Sequence, residues 1–423
     1  MTLAAVAHVN NRNSRAAAAE AAETLRQGLA GQRPDVLIAF ATAGYTQPEL
    51  IGTLRAAFAG VPLCGCSAEG VLTTAGGSDE GSHALAVMAL RSEAMRFSTL
   101  SVRDVGADSR RAGRALAAQV QRALADGAPA SARENHALFV FPDGLTTNCS
   151  QLLKALQAEL PEGVTVAGGT AGDMMAMQRT YQYHDGEVFS DGVSALLISG
   201  DVQFEVGVSH GCEVVGLERT VTRSEGSAVE EVDGQPAWPV FSEYLAVVPE
   251  QLTGDYMSRL AIAERLDEPS DYGTHIVRVP LRIDHGRDAL VFGAEIASGA
   301  RVAMTRRLPE RVVDNAVASA RTIEAKHKTR KPSFVLQLDC AGRGRQLFGE
   351  RCTEMGLRPI QAVLGEKTPW LGCYTYGEIA APGEQRVRFH NYTVVICAVY
   401  EVAADDPSAA GESPRTTAPR PER

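Results

Sequence analysis

The sequence predicts an α/β protein of two domains, built from repeated strand-helix-strand-loop-strand units whose mixed sheets are flanked by helices. Three observations predict it. Short runs that are apolar on both faces, such as Val36-Leu37-Ile38-Ala39-Phe40, alternate with helix-period segments, the pattern of strands buried under helices. The same order of elements occurs three times along the chain, which marks a repeat. A length of 423 residues also exceeds what one ordinary core holds.

The plan is clearest between Phe334 and Tyr400. An apolar run, 334–338, ends at Asp339-Cys340-Ala341-Gly342-Arg343-Gly344. A helical segment leads to Trp370-Leu371-Gly372-Cys373-Tyr374-Thr375-Tyr376-Gly377-Glu378, then a polar loop and a strand over 392–400. Near the N-terminus, 36–40 leads through a helix over 47–59 to Leu63-Cys64-Gly65-Cys66-Ser67-Ala68-Glu69-Gly70 and a strand over 83–90. In the middle, 137–141 leads to Val166-Ala167-Gly168-Gly169-Thr170-Ala171-Gly172-Asp173 and a closing strand over 193–198. Residues 15–30 are strong helix formers stopping before Gly31, and 110–124 carry alanine and arginine at helical spacing. Strands over 84–90 and 96–102 read as neighbours. Asp185-Gly186, between aromatic and β-branched flanks, signals a hairpin. The pattern changes after Gly216. Further strands are expected over 202–208, 275–283 and 289–295, and helices around 238–247 and over 309–326. The tail from Ala403 is polar and proline-rich and is expected to be disordered.

A net charge of -10 and the absence of a long basic run exclude a nucleic-acid surface. No stretch approaches the ~20 apolar residues of a membrane span, and no charged start followed by an apolar core marks a secretory signal. Eight cysteines scattered through apolar runs suit reduced, buried thiols, so the expected compartment is the cytoplasm.

Standard catalytic signatures are incomplete. Gly65-Cys66-Ser67-Ala68-Glu69 lacks the second glycine of a nucleophile elbow, and Gly342-Arg343-Gly344-Arg345 lacks the Gly-Lys-Ser/Thr of a phosphate loop. What remains are polar residues where strands end in glycine turns, the place where open α/β sheets bind ligands. Three places fit: Ser67; Asp143 with Thr170 and Asp173; and Cys340 and Arg343 with Tyr374, Tyr376 and Glu378. Arg343 either grips a carboxylate or caps a turn. Tyr374 and Tyr376 either wall a pocket or are core, and Asp143 and Asp173 either bind or shape turns. His390 and Asn391, entering the last strand, add a donor and an acceptor. An enzyme would use Cys340 with His390, or Ser67, as nucleophile.

Gly65-Cys66-Ser67-Ala68-Glu69-Gly70, 166–173, Ser190-Asp191-Gly192-Val193 and Val206-Gly207-Val208-Ser209-His210-Gly211-Cys212 resemble the N-terminal half of FIST proteins. Cys340-Ala341-Gly342-Arg343-Gly344, Phe348-Gly349, Tyr374-x-Tyr376-Gly377-Glu378 and Phe389-His390-Asn391-x-Thr393 resemble the FIST C-terminal domain. The resemblance implies an N-type domain over 30–216, a linker over 217–236 and a C-type domain over 237–402, before the tail at 403–423. It also implies a sensory, non-catalytic protein that binds a small, amino-acid-like or other ligand and signals to a separate partner such as a histidine kinase. One branch of the family senses nitric oxide through haem. Under that alternative His184 and His210 are the candidate axial ligands.

Overall fold

The computed structural model describes residues 1–127, 134–244, 260–270, 272–327, 330–381 and 386–402. The first unit comprises β1 (Thr2–Val9), α1 (Ser14–Gly28), β2 (Val36–Thr42), α2 (Gln47–Ala57), β3 (Leu63–Ala68), the hairpin β4 (Gly70–Thr73) and β5 (Gly77–Asp79), and β6 (Leu85–Ser92). Next come β7 (Met95–Arg103) and α3 (Ser109–Asp126). The second unit is β8 (Asn135–Pro142), α4 (Cys149–Glu159), β9 (Val164–Gly169), the hairpin β10 (Gln182–His184) and β11 (Glu187–Phe189), and β12 (Gly192–Gly200), with β13 (Val202–Ser209) after it. A separate sheet follows, made of β14 (Cys212–Glu225), β15 (Ala228–Val232), β16 (Gln235–Pro236), β17 (Ile262–Ser270), β18 (Gly273–Arg278), β19 (Pro280–Asp284), β20 (Ala289–Phe292) and β21 (Arg301–Arg307), with α5 (Ala237–Ser242) inserted. The third unit is α6 (Pro309–His327), β22 (Phe334–Cys340), α7 (Arg345–Phe348), α8 (Arg358–Leu364), β23 (Trp370–Thr375), the hairpin β24 (Glu378–Ala380) and β25 (Arg388–His390), and β26 (Val394–Glu401).

Sequence patterning fixes these elements locally. On β2, β8 and β22 alternate residues enter different cores. Val36, Ile38 and Phe40, like Phe139 and Phe141 and like Phe334 and Leu336, point into a shared centre, where Phe40 meets Phe141 edge-on at 5.3 Å. Leu37 and Ala39 face α1 and α2, Leu138 and Val140 face α3 and α4, and Val335 faces α6 and α8. Side chains cap three helix starts, with Asn13 accepting from the Ala16 amide, Asp108 from Arg111 and Asn148 from Gln151.

All three units pair alike. The first strand runs parallel to the second and antiparallel to the closing strand, as in β2 with β3 and β6, β8 with β9 and β12, and β22 with β23 and β26. Each sheet is then completed by pieces of another unit. The orders are β1-β6-β2-β3-β10-β11, β7-β12-β8-β9-β24-β25 and β13-β26-β22-β23-β4-β5. Every unit thus lends its hairpin to a neighbour's sheet, and the three loans close a cycle. The strands over 84–90 and 96–102, expected as neighbours, accordingly part: β6 stays in the first sheet and β7 forms the edge of the second. The stretch read as a linker, 217–236, lies in β14, β15 and β16. The strand expected over 275–283 divides into β18 and β19 at Val279-Pro280, since proline has no amide to offer a ladder. The expected helix end at 245–247 and the tail at 403–423 lie outside the described residues. Among those residues no helix is long and apolar enough to cross a membrane.

One glycine per unit makes the parallel pairing possible. A Cβ on Gly65 would lie 1.9 Å from the Ala39 carbonyl oxygen, one on Gly168 2.0 Å from that of Val140, and one on Gly372 2.3 Å from that of Gln337. Gly65 also holds a φ of +142°. Gly65→Ala should therefore lower the unfolding free energy by about 2–4 kcal/mol, because the clash is with rigid backbone. Urea denaturation that finds a loss below 0.5 kcal/mol, roughly the ordinary surface value, would show that the strands separate at little cost.

Candidate functional site

The carboxyl end of the parallel pair β22 and β23 carries the most unusual chemistry. Register across the third sheet sets one row of residues side by side: Ser209 against Val394, Val394 against Asp339, Asp339 against Tyr374, and Tyr374 against Gly70. Glu80 follows β5 at the far end of this row. All belong to the face covered by helices. Asp339 there joins Gln337, whose amide donates to its Oδ2 at 2.9 Å, and Tyr374 hydrogen-bonds Ser78 at 2.9 Å.

Arg343 folds back over this row. It is 1% exposed, and its Nε donates to Asp339 Oδ1 at 2.5 Å. Its Nη1 and Nη2 are buried with no hydrogen-bond partner among the described residues. An orphaned guanidinium fork at such depth is costly and is uncommon in folded proteins. Ser209, 7% exposed, adds a second buried group, its Oγ, without a partner among the described residues. Sequence reasoning missed Ser209, because only cross-sheet register brings it into the row with Asp339.

The roof is apolar and irregular. Val312, Phe348 and Cys352 cluster over the site with Val313, Leu347 and Met355 packed against them. The covering segment does not run as one helix. It passes from α7 through a 3₁₀ turn at Gly349–Arg351 and a π turn at Thr353–Leu357 into α8. Such interruptions recur at functional sites. Glu80 holds the segment down, accepting from the Arg345 amide at 2.7 Å and the Cys352 thiol at 3.4 Å, and burial pushes its carboxyl upward. Arg307, stacked over the Tyr392 ring at 3.9 Å and donating to the Gly342 carbonyl, closes the side toward the fourth sheet.

The other candidates fall into separate groups. At the meeting of the three units, Tyr376 donates to Asp173, whose carboxylate also accepts from the amides of Met177, Gln178 and Arg179 at 2.7–2.9 Å. Glu69, pushed to about 7 by burial, accepts from the Met175 amide at 3.1 Å beside them. Ser67 donates to the Gly172 carbonyl at 2.7 Å and Thr170 to that of Gly377 at 3.4 Å. Asp143 accepts from Leu145, Thr146 and Asp191 amides at 2.9–3.1 Å, which shapes its turn. Glu378 accepts from Thr375 and Thr393 hydroxyls at 2.7 Å each, and burial pushes it to about 8. Asn391 bridges the Tyr376 carbonyl and the Val279 amide at 3.1 Å each.

Cys340 and His390 make no hydrogen bond to each other among the described residues. Burial drives the thiol well above its ordinary value, and His390 spends its nitrogens on the Ala380 carbonyl at 3.0 Å and the Tyr272 hydroxyl at 3.1 Å. The imidazoles considered for haem do not fit that group either. His184 sits on the β10 hairpin, 3.9 Å from Asp185. His210 accepts the Cys212 amide on Nδ1 at 2.9 Å and has a backbone hydrogen bond with His275. The cavity beside His210, about 360 Å³, presents Thr274, His275, Arg311 and Asn315 where a porphyrin needs a flat apolar slot.

The FIST N domain matches residues 35–235 and the FIST C domain residues 237–381. The chain belongs to the FIST family. FIST domains are sensory domains for small ligands. Within this family setting, an uncharacterized protein of Mycobacterium tuberculosis is 26% identical over 387 residues, 90% of this chain and 94% of its own. An uncharacterized protein of Methanocaldococcus jannaschii is 25% identical over 331 residues, 72% of this chain and 62% of its own. A crystal structure of the cyanuric acid hydrolase from A. caulinodans superposes with a TM-score of 0.38 at 11% identity, covering 95% of this chain and all of that one. The row of Asp339, Arg343 and Tyr374 falls in the FIST C match, whereas Ser78, Glu80 and Ser209 come from the FIST N match.

Proposed function

We propose that this FIST protein is a cytoplasmic, non-catalytic sensor that binds a small carboxylate-bearing ligand at Arg343 and signals to a separate partner such as a histidine kinase. The observation that carries the reading is the buried Arg343 fork, with Nε committed to Asp339 and both Nη nitrogens without a hydrogen-bond partner among the described residues. A planar carboxylate matches those two donors and would relieve their desolvation. A phosphate dianion suits the site less, because Asp339 and Glu80 adjoin it and like charges repel.

Residues from both halves contribute, so occupancy bears on how they are held together. Glu80 and Ser78, from the first unit, latch the segment covering a site built by the third. A ligand that moves this segment by differential contacts changes a surface a partner can read. The signalling half of the proposal is tested by autophosphorylation of a co-purifying kinase with and without ligand. Equal rates would remove it.

The binding half is tested by a thermal-shift screen of amino acids and other small carboxylates, followed by calorimetry on Arg343→Lys. Lysine keeps the charge beside Asp339 but loses the fork, so affinity should fall at least about tenfold, the worth of a charge-assisted hydrogen bond. Unchanged affinity would remove Arg343 from the site.

A further inference from the structure

The cavity beside His210 stands close to Arg343. It has a volume of about 360 Å³ and is lined by His210, Cys212, Tyr272, Thr274, His275, Arg311 and Asn315, with glycine and Val214 between them. It opens to solvent along the first turns of α6. Two observations connect it with Arg343.

The first is the line of β13 along α6. Glu205 pairs with Lys326 and His327, Gly207 packs against Ser319 and Ile323, and Gly211 lies against Arg311 and Val312. Strand and helix therefore run antiparallel. Two strand residues advance about 6.6 Å and four helix residues about 6 Å, so Ser209 falls opposite the turn at 315–316. Ser209, whose buried Oγ has no partner among the described residues, thus lies level with Asn315 and directly before His210, and both of those line the cavity. The second is electrostatic: burial chiefly lowers His210 and raises Cys212, and the Arg343 charge is felt at both, which line the cavity.

We propose that this cavity is the outer half of the Arg343 site, and that the ligand spanning both halves is a small monocarboxylate carrying uncharged hydroxyl or amide groups. This rests on the reading of Arg343 as the carboxylate anchor. The outer wall offers hydrogen bonds without net charge. Arg311 is already paired with Glu213 at 2.9 Å, Thr274 and Asn315 are neutral, and burial disfavours the charged form of His275. Ser209 lies between, two strands across the row from Asp339, and is placed to meet the first substituent beyond the carboxylate.

Calorimetry on the full chain with propionate, lactate and glycerate tests this, since the three share a carboxylate and add hydroxyls one at a time. Affinity should rise about fivefold per hydroxyl, the worth of a neutral hydrogen bond. Ser209→Ala and Asn315→Ala should each flatten the series while leaving propionate unchanged. A flat wild-type series, inorganic phosphate binding above propionate, or no binding of any of the three would overturn the proposal. A flat series that still vanishes in Arg343→Lys sinks only the outer half. A series indifferent to Arg343→Lys sinks the anchor beneath it.

Discussion

Arg343→Ala should cost about 3–5 kcal/mol of unfolding free energy, a large part of the 5–15 kcal/mol of a typical domain. The loss comes less from the missing pair than from what stays behind. Asp339 is 1% exposed, and Gln337 supplies its only other side-chain partner among the described residues. Without Arg343 it must remain buried and uncompensated or take up a proton, and both are unfavourable. Removing the two charges together avoids this. Arg343→Met combined with Asp339→Leu should recover most of the single-mutant loss, because a packed apolar pair is often neutral or better than a buried ion pair. Guanidinium denaturation of both single mutants and the double mutant gives the coupling. A single-mutant cost under about 1 kcal/mol, typical of exposed pairs, would mean that water reaches Asp339.

Stability should also fall between pH 6.5 and 8, by roughly 2 kcal/mol. Burial holds Glu378 near 8 and Glu69 near 7, against 4.5 for a free glutamate. The folded chain keeps these protons after the unfolded chain has lost them, so their contribution is complete below 4.5 and is lost as pH rises through 7 and 8. Two histidines act in the opposite sense. Burial takes His390 to about 3 and His210 to about 4, below the usual 6.5, so their contribution is present above 6.5 and is lost as pH falls. From 4.5 to 6.5 the two effects oppose each other. Above 6.5 only the carboxyls act, and the net slope is downward. Urea midpoints at pH 6.5 and 8 measure it, and Glu378→Gln should remove most of the slope. Equal wild-type midpoints would show that Glu378 ionises in the folded protein without penalty.

Much of this architecture is legible in the residues themselves. Runs apolar on both faces give the first strand of each unit, glycine in Leu63-Cys64-Gly65-Cys66 and its counterparts gives the close second strand, and Asp185-Gly186 gives its hairpin. These signals are local, and so is what they reveal. Nothing in 70–79 says that this hairpin pairs with β23 some three hundred residues later, or that β6 and β7 part company. The site divides the same way. Arg343 is visible as a basic residue in a glycine turn after a buried strand. Ser209 is one serine ending one strand, and only the register through Val394 sets it beside Asp339. The sequence also groups Tyr376 and Glu378 with the arginine, whereas the fold spends Tyr376 on Asp173 and Glu378 on neighbouring hydroxyls.

The reciprocal loan of hairpins bears on how the chain comes into being. A ribosome releases β4 and β5 long before their sheet exists, and β7 and β13 likewise precede the closing strands they border. Until the last third emerges, β4, β5 and β13 lack the sheet they join, and such unpaired edges are the surfaces most prone to intermolecular pairing. Loop-closure entropy for contacts of such separation must be met before they are rewarded, so assembly is expected to be slow and nearly all-or-none. The same interlock denies any third an independent existence: a nick or deletion in one unit strips an edge from another. A disturbance in any one unit therefore bears on a sheet that belongs to another.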